Sequence, residues 1–75
     1  MTKLPVLSGK KLIKILEKSG FEFLDQTESH VILIKTENER KLKPVIPLHS
    51  VIKPGTLLSI LKQANMTRKE FEKLM

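Results

Sequence analysis

The chain has 75 residues and carries 14 Lys and Arg against 8 Asp and Glu, for a formal net charge of +6. That length holds one small domain spanning residues 1–75, which buries only roughly 60% of the surface its unfolded chain exposes. Cysteine is absent, so a disulfide framework and cysteine-based zinc sites are excluded, and no apolar run approaches the roughly 20 residues of a membrane span.

The N-terminal stretch has one lysine and no extended apolar core, which argues against a signal peptide. Residues 1–7 read as an extended lead-in, with Pro5 keeping Leu4 out of helical geometry. Ser8 is placed to cap a first helix over residues 9–19. Leu12, Ile13 and Leu16 form its apolar stripe with Ile15 on the flank, and Gly20 ends it in a left-handed conformation. Residues 21–25 alternate, so Phe21 and Phe23 are expected on one face of a half-buried strand. Residues 26–29 are a polar turn. Residues 31–34 are β-branched or leucine only, the strongest strand signal in the chain.

A turn over residues 37–40 leads to a third strand over 41–48, with Lys41 and Lys43 on one face. Pro44 and Pro47 cannot donate to a ladder, so this strand is expected to be irregular or at an edge. Pro54 and Gly55 punctuate the next loop, and residues 56–64 form a second helix with Leu57, Leu58, Ile60 and Leu61 as its apolar positions. Asn65 and Met66 break it. Thr67 and Glu70 have the spacing of a capping box for a last short helix, which packs back through Phe71, Leu74 and Met75.

The order is α+β, with short turns favouring an antiparallel three-stranded sheet and both long helices on one of its faces. Strands two and three are apolar on both parities, so a partner chain is expected over part of the other face. The charge favours a polyanionic partner, most often nucleic acid, over merely solvated surface lysines. With no Trp or Tyr and three Phe, base stacking has little to work with, and phosphate charge and backbone shape would dominate binding.

His30, at the mouth of the apolar strand, is one of two histidines and the natural proton-transfer candidate, a surface histidine being the plain alternative. Ser29 could orient it or hydrogen-bond a phosphate, an ordinary turn serine being the plain alternative. Strand alternation would send the two side chains to opposite faces, against a Ser–His nucleophilic pair. Asp25 and Glu28 do not suggest a carboxylate-metal nuclease; one magnesium could sit between them, but solvated turn charges are far commoner.

Five segments, in this order, resemble the HicA toxins, the mRNA interferases of HicA–HicB toxin–antitoxin pairs. They are Leu4-Pro5-Val6-Leu7-Ser8-Gly9-Lys10, Leu16-Glu17-Lys18-Ser19-Gly20-Phe21, Ser29-His30, Ile46-Pro47-Leu48-His49, and Lys53-Pro54-Gly55-Thr56-Leu57-Leu58-Ser59-Ile60-Leu61. The resemblance implies a fold like the double-stranded RNA-binding domain (α-β-β-β-α), in agreement with the element order. It also implies metal-independent cleavage of mRNA without a cofactor, action in the cytoplasm, and a HicB-like antitoxin that masks the active site, so that the protein would sit in a toxin–antitoxin hetero-oligomer or a homo-oligomer. The family's Gly-Ser-His motif puts the catalytic histidine at His30. Here Glu28 stands where the motif has glycine, which removes a permissive backbone position and adds an anion beside a phosphate-binding site.

On this reading His30 takes a proton from a ribose 2′-hydroxyl, or gives one to the leaving oxygen. His49 could supply the missing acid if the end of the third strand folds beside His30. Lys53 and Thr56, at the start of the second helix, and Lys10, Lys11 and Lys14, on the first, are candidate phosphate contacts. The rival readings are a noncatalytic RNA-binding module of the same fold and a protein-interaction domain.

Overall fold

The computed structural model describes residues 4–75. The lead-in is seen from Leu4 onward, its first three residues lying outside the described part. Helix α1 (Gly9–Lys18) starts where Ser8 accepts a hydrogen bond from the Lys11 N–H at 3.2 Å. It buries Leu12, Ile15 and Leu16 and leaves Ile13 half-buried, so Ile15 belongs to the centre of the stripe and not to its flank. Gly20 closes it with a φ of 101°, and the N–H groups of Gly20 and Phe21 return to the carbonyls of Glu17 and Leu16.

Four strands follow: β1 (Glu22–Gln26), β2 (His30–Glu37), β3 (Arg40–Leu42) and β4 (Val45–Pro47). All pairing is antiparallel and centres on β2. Strand β1 lies on one side of it, while β3 and β4 share the other, β3 against residues 35–37 and β4 against residues 30–32. The third strand expected over 41–48 is therefore two pieces at an edge. The break falls at Pro44, which has no N–H to offer; its carbonyl instead accepts the Leu33 N–H at 3.1 Å. The break also means that strand alternation does not carry from Lys41 to Lys43. The β2–β3 connection is the two-residue turn Asn38-Glu39, with φ of 49° and 65°, the left-handed pair that matches strand twist.

Helix α2 (Pro54–Gln63) begins two residues before the expected position, because Pro54 is an ideal first helical residue with φ preset and no N–H to satisfy. Asn65, at φ 52°, closes it as Gly20 closes α1, with the Met66 N–H returning to the Leu61 carbonyl at 2.9 Å. Helix α3 (Arg68–Leu74) carries the full capping box, the Thr67 N–H donating to Glu70 Oε1 and the Glu70 N–H to Thr67 Oγ1. Phe71 is buried and Leu74 half-buried, but Met75 is 52% exposed: it lies beyond the last helical turn and does not join the core.

The core lies between one sheet face and the helices. Val31, Leu33, Leu42 and Ile46 meet Leu12, Leu16, Leu57, Ile60, Leu61 and Phe71. Phe21 is buried with them, whereas Phe23 is 58% exposed, so the common face expected for the pair does not form. Phe21 precedes the strand, the register shifts between Phe23 and Asp25, and β1 lies beyond the helical layer, exposed along its whole length. On the face away from the helices, Ile32 and Ile34 are half-buried and Val45 is exposed, flanked by Glu22 and Asp25 of β1. That apolar surface is the one the strand parities anticipated.

One contact locks the two layers together. A Cβ built on Gly9 would collide with the Pro47 carbonyl oxygen, and it would lie 3.1 Å from Leu48 Cα. Backbone meets backbone there, so neither side can yield. Gly55, in the first turn of α2, has open space where its Cβ would be. The two glycines therefore predict opposite responses. Gly9→Ala should lose about 2 kcal/mol or more in urea unfolding, as overpacking against a fixed backbone does. Gly55→Ala should be neutral or gain up to about 1 kcal/mol.

The Thr67 backbone N–H, and after it the Thr67 hydroxyl, hold the Glu70 carboxyl below its ordinary pKa. A lowered folded-state pKa stabilises the fold above the unfolded-state value, and that contribution disappears as pH falls through the folded-state value. Urea midpoints from about pH 7 to about pH 3 should thus show wild type losing stability relative to Glu70→Gln, which keeps the acceptor and cannot titrate.

Candidate active site

The β1–β2 ladder ends at the pair Gln26 and Val31, and residues 27–29 turn the chain back into His30. The Thr27 N–H donates to the His30 carbonyl at 2.8 Å, and the His30 N–H donates to Thr27 Oγ1 at 3.1 Å. His30 is half-buried and stands opposite Pro47 at the first position of β2. Ser29 Oγ lies 2.8 Å from His30 Nδ1, the tautomer deciding which atom donates. The alternation that would have separated these side chains does not apply, because Ser29 sits in the bend ahead of the strand. A hydroxyl on Nδ1 orients the ring and leaves Nε2 for proton exchange with a substrate. Glu28 is exposed and its φ is not left-handed, so nothing in the backbone at this position calls for glycine.

The ladder between β2 and β4 runs on past its last pair, with the Leu48 N–H donating to the Ser29 carbonyl at 2.8 Å. His49 follows directly and is exposed, and its carbonyl accepts the Gly9 N–H at 2.9 Å. The two histidines therefore lie at the same end of the sheet. Three residues beyond His49 the chain bonds again, the Ile52 N–H to the Leu7 carbonyl at 2.7 Å. The turn before His30 and the starts of both long helices are gathered at one end of the molecule by this segment.

Those helix starts carry the candidate cations. Lys10 and Lys11 occupy the first turn of α1, with Lys14 a turn further on, all exposed. Lys53 is the N-cap of α2 and Thr56 lies in its first turn, both exposed. Neither helix has an acidic residue in its first turn, and no side chain caps α2. The start of α2 suits phosphate, since N–H groups without a side-chain cap and the positive dipole end point outward. In α1 the Gly9 and Lys11 N–H groups are already taken by the His49 carbonyl and the Ser8 hydroxyl, leaving its dipole and its lysines. Lys41 is not part of this cluster; it pairs with Thr36 at the other end of β2.

A depression of about 270 Å³, lined by Lys35, Glu37, Asn65, Glu70 and Lys73 among others, also lies at that other end, roughly 20 Å along the strand from His30. His30 itself is half-buried at the end of the sheet, opposite Pro47. Among the described residues no group of three or more His, Cys, Asp or Glu could hold a metal ion, and no helix is long and apolar enough to cross a membrane.

The family described as HicA toxin of bacterial toxin-antitoxin matches residues 9–66, a span that runs from the first residue of α1 to the end of the turn after α2. It includes His30, Ser29, His49 and every candidate lysine. No curated protein and no solved structure matches the chain.

Proposed function

The chain belongs to the HicA toxin family, and from that premise we propose that it is a metal-independent endoribonuclease that cleaves mRNA through His30 and is silenced by a HicB-like antitoxin. The observation that carries the reading is the Ser29–His30 pair, a ring held at Nδ1 by a hydroxyl at the same end of the fold as two helix starts bearing Lys10 and Lys53. Its place of action would be the cytoplasm, where mRNA is translated.

In the proposed reaction His30 Nε2 takes the proton from a ribose 2′-hydroxyl. The O2′ attacks the adjacent phosphorus, the bond from phosphorus to O5′ breaks, and a proton passes to the departing O5′. The products are a 2′,3′-cyclic phosphate and a 5′-hydroxyl. His49 serves the leaving oxygen as acid, or the imidazolium of His30 returns the proton it took. A positioned histidine contributes about 10²- to 10⁴-fold to such a step. Lys10, Lys11, Lys14 and Lys53, with the N–H groups at the start of α2 and the Thr56 hydroxyl, hold the phosphates on either side of the scissile one. Because this binding is mostly charge, it weakens steeply as salt releases its counterion advantage.

The second reading, a noncatalytic RNA-binding module, is favoured by one feature: the exposed Glu28 carboxylate in the turn that must admit a phosphate. One experiment separates the two. Purified protein is incubated with RNA in EDTA beside folded His30→Ala and His49→Ala variants. The proposal expects cleavage by wild type, a loss of about 10²-fold or more in His30→Ala, and a smaller loss in His49→Ala. Salt-sensitive binding with no cleavage by wild type would establish the module instead.

A further inference from the structure

Thr27 belongs to none of the candidate contacts above, yet it makes more hydrogen bonds to His30 than any other residue. Its N–H donates to the His30 carbonyl at 2.8 Å, its Oγ1 accepts the His30 N–H at 3.1 Å, and Oγ1 also lies 3.4 Å from the His30 carbonyl oxygen. Both polar groups of the His30 backbone are thus held by one residue. The connection between the two is only Glu28 and Ser29, as short as a hairpin turn can usefully be. Two-residue hairpin turns usually return the N–H of the second strand to the carbonyl of the first and take up left-handed φ at the turn. The Asn38-Glu39 turn of this same sheet does take left-handed φ at both residues. At 28 and 29 neither residue is left-handed. The hydroxyl of Thr27 stands in for the carbonyl as acceptor, a side-chain-closed turn of the kind Ser and Thr make.

We propose that Thr27 is the positioning residue of the site. By closing the turn through its side chain it fixes the His30 backbone and brings Ser29 back over the ring, so that Ser29 Oγ meets Nδ1 and Nε2 is presented to the RNA. Thr27 touches no substrate atom. It acts through His30, and the proposal rests on the reading of His30 as the reacting group.

The requirement is narrow. The residue at 27 must offer a hydroxyl two bonds from its backbone; serine meets this and valine, of the same shape, does not. The test compares Thr27→Val and Thr27→Ser with wild type, each shown to be folded by circular dichroism. The first readout does not depend on catalysis: amide exchange of the His30 N–H and nitrogen NMR of its imidazole ring. Thr27→Val should expose that amide to exchange and change the balance of Nδ1-H and Nε2-H tautomers, while Thr27→Ser keeps both as in wild type. The second readout is RNA cleavage, where Thr27→Val should lower kcat by about tenfold to a hundredfold with little change in KM, as displacement of a reacting group does, and Thr27→Ser should restore it.

Native amide protection and ring spectrum in Thr27→Val would overturn the proposal, as would a fall in thermal stability with kcat per folded molecule unchanged. Should wild type not cleave RNA at all, the reading of His30 fails, and the NMR comparison still decides whether Thr27 sets its ring.

Discussion

The fold hangs on the meeting of two backbones, Gly9 at the start of α1 against the Pro47 carbonyl at the end of β4. The first residue of a helix and the last residue of an edge strand approach so closely that no side chain fits between them. From that contact onward the chain is stitched residue by residue. Leu48 bonds to the turn before β2, His49 to α1 and Ile52 to the lead-in, and Lys53 stands at the N-cap position from which α2 starts. A short irregular segment thus fixes where three elements begin. In a domain with little core to spare, main-chain bonds of this kind also satisfy groups that burial would otherwise leave costly.

The proposed site collects at that end for a physical reason. The start of α2 presents N–H groups that no side chain caps, α1 adds its lysines, and a hairpin turn presents side chains free of strand alternation. A place where two helix starts meet a turn thus offers anion contacts and an adaptable side chain together. His30 stands on the seam, with its backbone in the sheet and its ring against a turn residue. The opposite end holds Lys35 over the Phe21 ring, with its charge also near Glu37 at 3.6 Å, and Asn65 bonded to Glu37. There the polar groups answer one another. At the His30 end the lysines face water. Strand β1 stands apart from both, bare of helices and acidic at Glu22 and Asp25, and with the apolar outer face of β2 it is the surface least explained by the fold alone.

Local chemistry was readable in the sequence wherever one residue decides it. Ser8, Gly20, the Thr67–Glu70 pair and the paired prolines of the third strand each force a particular backbone, and each did what its chemistry dictates. Readings that assumed unbroken periodicity fared less well. Phe21 and Phe23 looked equivalent, but the register shift and the edge position of β1 separate them. Ser29 and His30 looked opposed, but the strand starts one residue later than that inference required. The gathering of Ser29, His49, Gly9 and Lys53 could not be read at all, since it depends on long-range backbone bonds that leave no periodic trace. Glu28 looked costly as a substitute for glycine, and only the backbone geometry shows that its φ is an ordinary one. Nothing in the sequence marks Thr27, because a threonine in a polar turn carries no signal of its own.

In the proposed reaction this small fold turns one half-buried histidine into a catalyst that works on the ribose 2′-hydroxyl. The most direct measurement is mass spectrometry of the ends left on a defined RNA cut in EDTA, beside the same RNA with 2′-deoxy sugars at the cleaved positions. Attack by the ribose leaves 2′,3′-cyclic phosphate and 5′-hydroxyl ends, and no cutting is expected where the 2′-hydroxyl is missing. Cleavage of the 2′-deoxy substrate, or 5′-phosphate ends, would mean that water and not the ribose is the nucleophile, and would contradict the proposed reaction.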